Sequence, residues 1–172
     1  MAQYYSETKP IGCAVITVSD TRNKDTDKSG RLIVERLQQQ HHEIFKYEII
    51  PDEKSAIQSK LLEVINDENI KAVIFNGGTG ISQRDVTIES IKPFFTKELP
   101  GFGEIFRYLS YRDDIGSKSI LSRAVAGVVN NRIVFAIPGS TGAVKFAMEK
   151  LILPELHHIV TEIHKDLKKG VS

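Results

Sequence analysis

Two kinds of apolar pattern run along this chain. Continuous runs rich in β-branched residues, Ile11 to Val18 and Ala72 to Phe75, read as strands buried on both faces. Glu43 to Ile50 reads as a weaker strand, because Lys46 and Glu48 interrupt its apolar character. Between these runs, apolar residues recur at helical spacing. A helix is predicted from about Lys28 to Gln40 with Leu32, Ile33 and Leu37 inward. Another carries Ile57, Leu61, Val64 and Ile65, with Ser55-Ala56-Ile57-Gln58 matching a capping box at its start. Strand, helix, strand, helix, strand implies parallel pairing.

A helical stretch follows near Val86 to Phe95, interrupted at Pro93. The clearest helix opens at Pro100-Gly101, where Phe102, Ile105, Phe106 and Leu109 recur at i, i+3, i+4 and i+7. Ala124 to Val129 and Arg132 to Ile137 are β-rich runs separated by Asn130-Asn131. Paired Asn tolerates the positive φ of a type I′ turn, so this is a hairpin. One strand must then oppose its neighbours. A long helical region closes the chain, divided or kinked at Pro154. The expected fold is a three-layer α/β/α sandwich with a mostly parallel sheet and one antiparallel strand from a hairpin. A flexible segment over 1–10 and a single domain over 11–168 are expected.

Composition narrows the function. Lys and Arg number 23 and Asp and Glu 22, a net charge of +1 that argues against general nucleic-acid binding. The one cysteine, Cys13, excludes an internal disulfide and a multi-cysteine zinc site, and reads as an inert core residue. His157 and His164 share a helix face but lack further metal ligands in motif spacing. No apolar run approaches the ~18 residues of a membrane span. The polar first ten residues lack the apolar core of a signal peptide, so the expected location is the cytoplasm.

Ligands of open α/β sheets bind beyond the carboxyl ends of the strands. Four polar loops leave such ends: Ser19-Asp20-Thr21, Pro51-Asp52-Glu53, Asn76 to Gly80 and Pro138 to Gly142. Gly77-Gly78-Thr79-Gly80 is the most specific of them. Its glycines let the backbone approach a ligand and turn N–H groups toward an anion, although a tight turn without a ligand is the plainer alternative. It is neither a Walker loop nor the dinucleotide fingerprint, since Gln83 stands where the latter needs Gly. Asp85 reads either as an Mg²⁺-holding acid or as the N-cap of the next helix. With Ser55 assigned as the cap of its own helix, Asp52 is left free in its loop. Two acids near a phosphate-sized nest suggest metal-assisted phosphoryl or nucleotidyl chemistry. Ser140 reads as an anion contact at a helix start or as a plain N-cap.

An ordered set of motifs adds to this. Thr17-Val18-Ser19-Asp20, Asn76-Gly77-Gly78-Thr79-Gly80, Arg84-Asp85-Val86-Thr87, Pro100-Gly101-Phe102-Gly103-Glu104-Ile105-Phe106-Arg107 with Ser110, Ser122-Arg123-Ala124 and Pro138-Gly139-Ser140 occur in that order. Together they resemble the MoaB/MogA family of molybdenum cofactor biosynthesis, related to the gephyrin G domain, over about Ile11 to His158. The match looks closer to MoaB. The resemblance implies an α/β/α fold assembled as a trimer or hexamer, binding of molybdopterin, and contact with other proteins of that pathway. It also implies Mg²⁺ and ATP as the means of adenylylating the molybdopterin phosphate, with release of pyrophosphate. MoaB-type members without catalysis are the alternative, as molybdopterin-binding proteins only.

By the same resemblance Asp52 and Asp85 are the catalytic acids, placing Mg²⁺ or the two phosphates. Gly77, Gly78, Thr79 and Gly80 receive phosphate or pterin. Ser110, Ser122, Pro138, Gly139 and Ser140 line the rest of the pocket. Ser19 and Asp20 are expected at the ligand, Asp20 either touching nucleotide or ordering its loop by an Asx-turn.

Overall fold

A computed structural model describes residues 9–167. Most of the segment expected to be flexible, and the last residue of the expected domain, lie outside them. Six strands form one sheet in the order β2-β1-β3-β6-β5-β4. The strands are β1 (Gly12–Val18), β2 (Glu43–Ile50), β3 (Ala72–Asn76), β4 (Lys97–Glu98), β5 (Val125–Val129) and β6 (Arg132–Ile137). β2, β1, β3 and β6 pair in parallel, while β5 runs antiparallel to both β6 and β4. The hairpin is the expected one: Asn130 and Asn131 have φ of 46° and 62°, the left-handed region that Asn tolerates.

Strand alternation divides the core. Cys13 and Val15 point to one face, against α1 (Lys28–Gln39), α4 (Pro100–Ser110), α5 (Thr141–Ala147) and α6 (Leu153–His164). Ala14, Ile16 and Val18 point to the other, against α2 (Lys54–Ile65) and α3 (Thr87–Ile91). Both faces are thus covered, which explains why β1 and β3 are apolar at successive positions. Burial pushes the Cys13 thiol up to about 12, consistent with an inert core residue.

Two local expectations are corrected. Ser55 does not cap α2: that helix starts two residues earlier than a Ser55 cap requires, after Glu53, with no side-chain cap. Ser55 is therefore inside the first turn, and Gln58 donates to the Ser90 carbonyl at 3.1 Å, tying α2 to α3. Asp85 is not the cap of α3, because Val86 occupies that position. The final helical region is divided next to Pro154, as expected. Residues Met148–Ile152 form a wide π-helical turn between α5 and α6, which accommodates a ring lacking N–H and colliding with the carbonyl four residues back.

Candidate active site

The loops after β1, β2, β3 and β6 meet around a cavity of 470 Å³. β5 runs the other way, so the chain enters that strand at the same end. A 3-10 turn over Gly116–Leu121 with Ser122 and Arg123 closes the cavity's remaining side.

The glycine loop forms its floor. Gly77 and Gly78 have φ of 96° and 66°, and a Cβ on Gly77 would lie 2.4 Å from the Val18 carbonyl oxygen. Only glycine fits there without strain. All four loop carbonyls are tied back. Thr87 Oγ1 donates to Gly77 O at 2.8 Å and Thr87 N to Gly78 O at 3.0 Å. Arg123 donates through Nε to Thr79 O at 2.8 Å and through Nη2 to Gly80 O at 2.7 Å. Gly77 N donates to Ile137 O, whereas the N–H groups of Gly78, Thr79 and Gly80 have no acceptor among the described residues. Carbonyls occupied and donors free make a nest for an anion.

Two carboxylates flank this nest. A Cβ on Gly78 would lie 2.9 Å from Asp52 Oδ1, and one on Gly80 would lie 2.6 Å from Asp85 Oδ2. Glycine at both positions therefore lets the acids close on the loop. Asp85 accepts from the amide of Ser82 at 3.1 Å and from its hydroxyl. Asp52 and Asp20 exchange backbone bonds: Asp20 N donates to Asp52 Oδ2 and Asp52 N to Asp20 Oδ1, each at 3.0 Å. Arg84 grips Asp20 with Nε at 2.9 Å and Nη2 at 3.0 Å.

The two partners titrate in opposite directions. The Asp52 amide, with Arg84, holds the Asp20 carboxyl below its usual range. Burial raises that of Asp52, and the charges of Asp20 and Asp85 add to the rise. Asp20 thus orders the loops after β1 and β2, outside the cavity wall.

Carboxylates beside an anion nest repel an anion unless a cation lies between them. Among the described residues no group of three or more His, Cys, Asp and Glu forms a ready-made metal cage. Two acids with open coordination suit Mg²⁺, which keeps waters and takes phosphate oxygens as further ligands.

Ser19, Gly77, Gly78, Thr79, Gly80, Asp52, Asp85, Ser122, Pro138 and Gly139 all line the cavity. Ser19 accepts from the amides of Thr21 and Arg22 and so shapes its loop. Besides Asp20, two expected pocket residues lie elsewhere. Ser140 caps α5 by accepting from Ala143 N at 3.3 Å. Ser110 is buried at the carboxyl end of α4, away from the wall. Arg22, Lys118 and Arg123 join the wall without having been singled out as ligand contacts. Arg123 stands within a quoted motif, but nothing local reveals which loop it holds.

Comparison with known proteins agrees with this architecture. The family described as "Probable molybdopterin binding domain" matches residues 14–158. Molybdenum cofactor biosynthesis protein B of Bacillus subtilis is 60% identical over 156 residues, covering 91% of this chain and 92% of the relative. A crystal structure of a molybdenum cofactor biosynthesis protein B superposes with a TM-score of 0.89 at 50% identity, covering 91% and 98% of the two chains. The tungsten cofactor synthesizing protein MoaB from Pyrococcus furiosus gives 0.81 at 43% identity, over 91% and 98%. By domain, by sequence and by fold, the chain belongs to the MoaB/MogA family of molybdenum cofactor biosynthesis proteins, on its MoaB side.

Proposed function

We propose that this protein is a molybdopterin adenylyltransferase. An oxygen of the molybdopterin phosphate attacks the α-phosphorus of ATP, the bond to the β-phosphate breaks, and pyrophosphate leaves. The observation that carries this reading is the nest of three free N–H groups flanked by Asp52 and Asp85. A donor nest alone would suit any phosphate. Two carboxylates against it suit a phosphate that arrives with a divalent cation.

Mg²⁺, when bound, supplies charge neutralisation between the phosphates and the acids. Asp85 and Asp52 are the residues that would hold it. The amides of Gly78, Thr79 and Gly80 orient the phosphate, and Arg123 keeps the loop carbonyls turned away from it. No general base is required, because a phosphate nucleophile is already ionised at neutral pH.

A trimer or hexamer belongs to the same proposal. Its support is a run of exposed apolar side chains on α4 and the turns after it: Tyr108 is 60% exposed, Tyr111 59% and Ile120 84%. A patch of this kind is suited to cover by a second copy. Sedimentation of the purified protein as a monomer would overturn it.

The decisive experiment is anaerobic turnover of molybdopterin and Mg-ATP by the purified protein, with Asp85→Asn alongside. Adenylylated pterin and pyrophosphate from the wild type and not from the variant are expected. Bound pterin without product would instead make this a molybdopterin-binding protein.

A further inference from the structure

Two arginines line the cavity, and their hydrogen bonds set them apart. Arg123 is engaged through all three of its nitrogens: besides the carbonyls of Thr79 and Gly80 it meets Glu89, with Nη1 2.6 Å from Oε1. Arg22 is occupied at two of its three nitrogens. Its Nη1 donates to Ser29 Oγ at 2.8 Å and its Nη2 to Gly139 O at 3.1 Å. A guanidinium has five N–H donors, and the remaining ones on Arg22 have no acceptor among the described residues.

The buried acid behind Arg22 does not account for it. Asp27 is fully buried and accepts from Thr17 Oγ1 and Tyr47 OH, both at 2.6 Å, and from Gly30 N at 3.0 Å. The guanidinium stays 3.9 Å away, beyond hydrogen-bonding distance, and Ser29 bonds it instead. Asp27 is thus satisfied chiefly by neutral donors. Burial, with Asp27 as acceptor, holds the Tyr47 hydroxyl protonated well above the usual phenol range.

This network still fixes where Arg22 sits. Ser29 Oγ donates to Asn76 Oδ1, and Asn76 Nδ2 donates to Thr17 Oγ1, each at 2.9 Å. Arg22 is therefore anchored at both terminal nitrogens, and it lines the cavity with its remaining N–H donors unpaired. It lies beside the nest: a Cβ on Gly139 would be 3.1 Å from Gly77 Cα and 3.4 Å from Arg22 Nη1.

We infer that Arg22 is a phosphate-binding residue of this site, offering the unpaired N–H donors of its guanidinium to a phosphate or pyrophosphate group seated on the Gly78–Gly80 amides. The inference rests on reading the cavity as a phosphate site. A fork held from behind loses little freedom on binding, and its planar donors match two phosphate oxygens. ATP and molybdopterin share the phosphate chemistry, so each serves as a separate probe.

Calorimetric titration of the wild type, Arg22→Gln and Arg22→Lys tests this, once with Mg-ATP and once, anaerobically, with molybdopterin. Arg22→Gln weakens at least one probe by about 10- to 100-fold, the range for losing hydrogen bonds to a charged group. Arg22→Lys restores part of the loss, keeping the charge but not the fork. The probe that weakens identifies the phosphate Arg22 meets. Melting temperatures of the variants show that the fold is retained; if Arg22→Gln does not fold, the lysine variant carries the test with a several-fold loss. Both probes binding as to wild type would overturn the inference and leave the adenylyltransferase reading intact. Binding by wild type with Arg22-dependent affinity but no adenylylated product overturns that reading and upholds this one. A wild type that binds neither probe overturns both.

Discussion

The two ends of the parallel strands treat their polar groups differently. At the amino ends, polar side chains complete the fold. Arg132 donates to the carbonyls of Ile70, Asp67 and Asn130 at 3.0, 3.2 and 2.8 Å. His42 accepts from the Ile11 amide through Nδ1 at 3.2 Å, and His164 bonds the Asn131 carbonyl. At the carboxyl ends, donors remain open on Gly78, Thr79, Gly80 and Arg22, and the Asp52 and Asp85 carboxylates face a cavity. An arginine stands at both ends, engaged through all three nitrogens at one and partly free at the other. What separates structure from function is the hydrogen-bonding capacity left over once the fold is complete.

This contrast is most sharply tested where an acid should matter to chemistry and not to folding. Asp85→Asn should lower turnover by on the order of 10²–10³-fold, as removal of one preorganised charge-stabilising group does, with pterin binding and melting temperature retained. Normal pyrophosphate release from this variant would refute the assignment. Gly78→Ala should blur the contrast. Its Cβ would meet Thr87 Oγ1 at 2.3 Å with φ at +66°, so ligand affinity should fall together with about 1–3 kcal/mol of stability. Wild-type affinity in titration would show that the nest is not the ligand site.

Arg132→Ala should do the reverse. Leaving three carbonyls without their donor should cost about 1–3 kcal/mol, seen in urea denaturation, while KM and kcat stay unchanged. The smallest effect belongs to His42. Burial, with the nearby His157 and His41, pushes it down to about 4 from 6.5. Protons then bind the unfolded chain more readily than the folded one. Stability should be full above pH 6.5 and decline as pH falls from 6.5 toward 4. His42→Asn keeps an acceptor for the Ile11 amide but does not titrate, so its denaturation midpoint should vary less between pH 7 and pH 5. An unchanged pH profile would remove His42 from the account.

The parallel strands were legible because burial on both faces leaves apolar runs that end where the loops begin. The hairpin was legible because two Asn residues carry its turn chemistry. β4 was not: Lys97 and Glu98 have no strand pattern, and pairing with Val128 and Gly127 alone makes them one. The capping box at Ser55 failed because helix entry shifted by two residues, a matter decided by the path of the chain from Pro51.

At the site, the glycines and Asp52 could be placed because each follows a strand end directly, and Asp85 because it follows the glycine loop. The arginines could not. Arg22 and Gly139 are 117 residues apart, and Arg123 and Thr79 are 44 apart. Contacts at such separation exist only once the sheet order is fixed. The exclusion of Ser110 and Ser140 from the wall likewise depends on which way a helix faces, which neighbouring residues in the sequence do not determine.

The reversed direction of β5 has a consequence for how the cavity can vary. Its other walls hang from the tightly buried parallel strands, where a change in length would disturb the core. The stretch from Tyr111 to Leu121 is a pair of irregular helical turns joined through Gly116, at whose Cβ position nothing lies within 4 Å. Insertions or deletions there would reshape one wall and leave the acids, the nest and the sheet in register. Relatives that accept differently shaped ligands on the same chemical floor should therefore diverge first in this stretch.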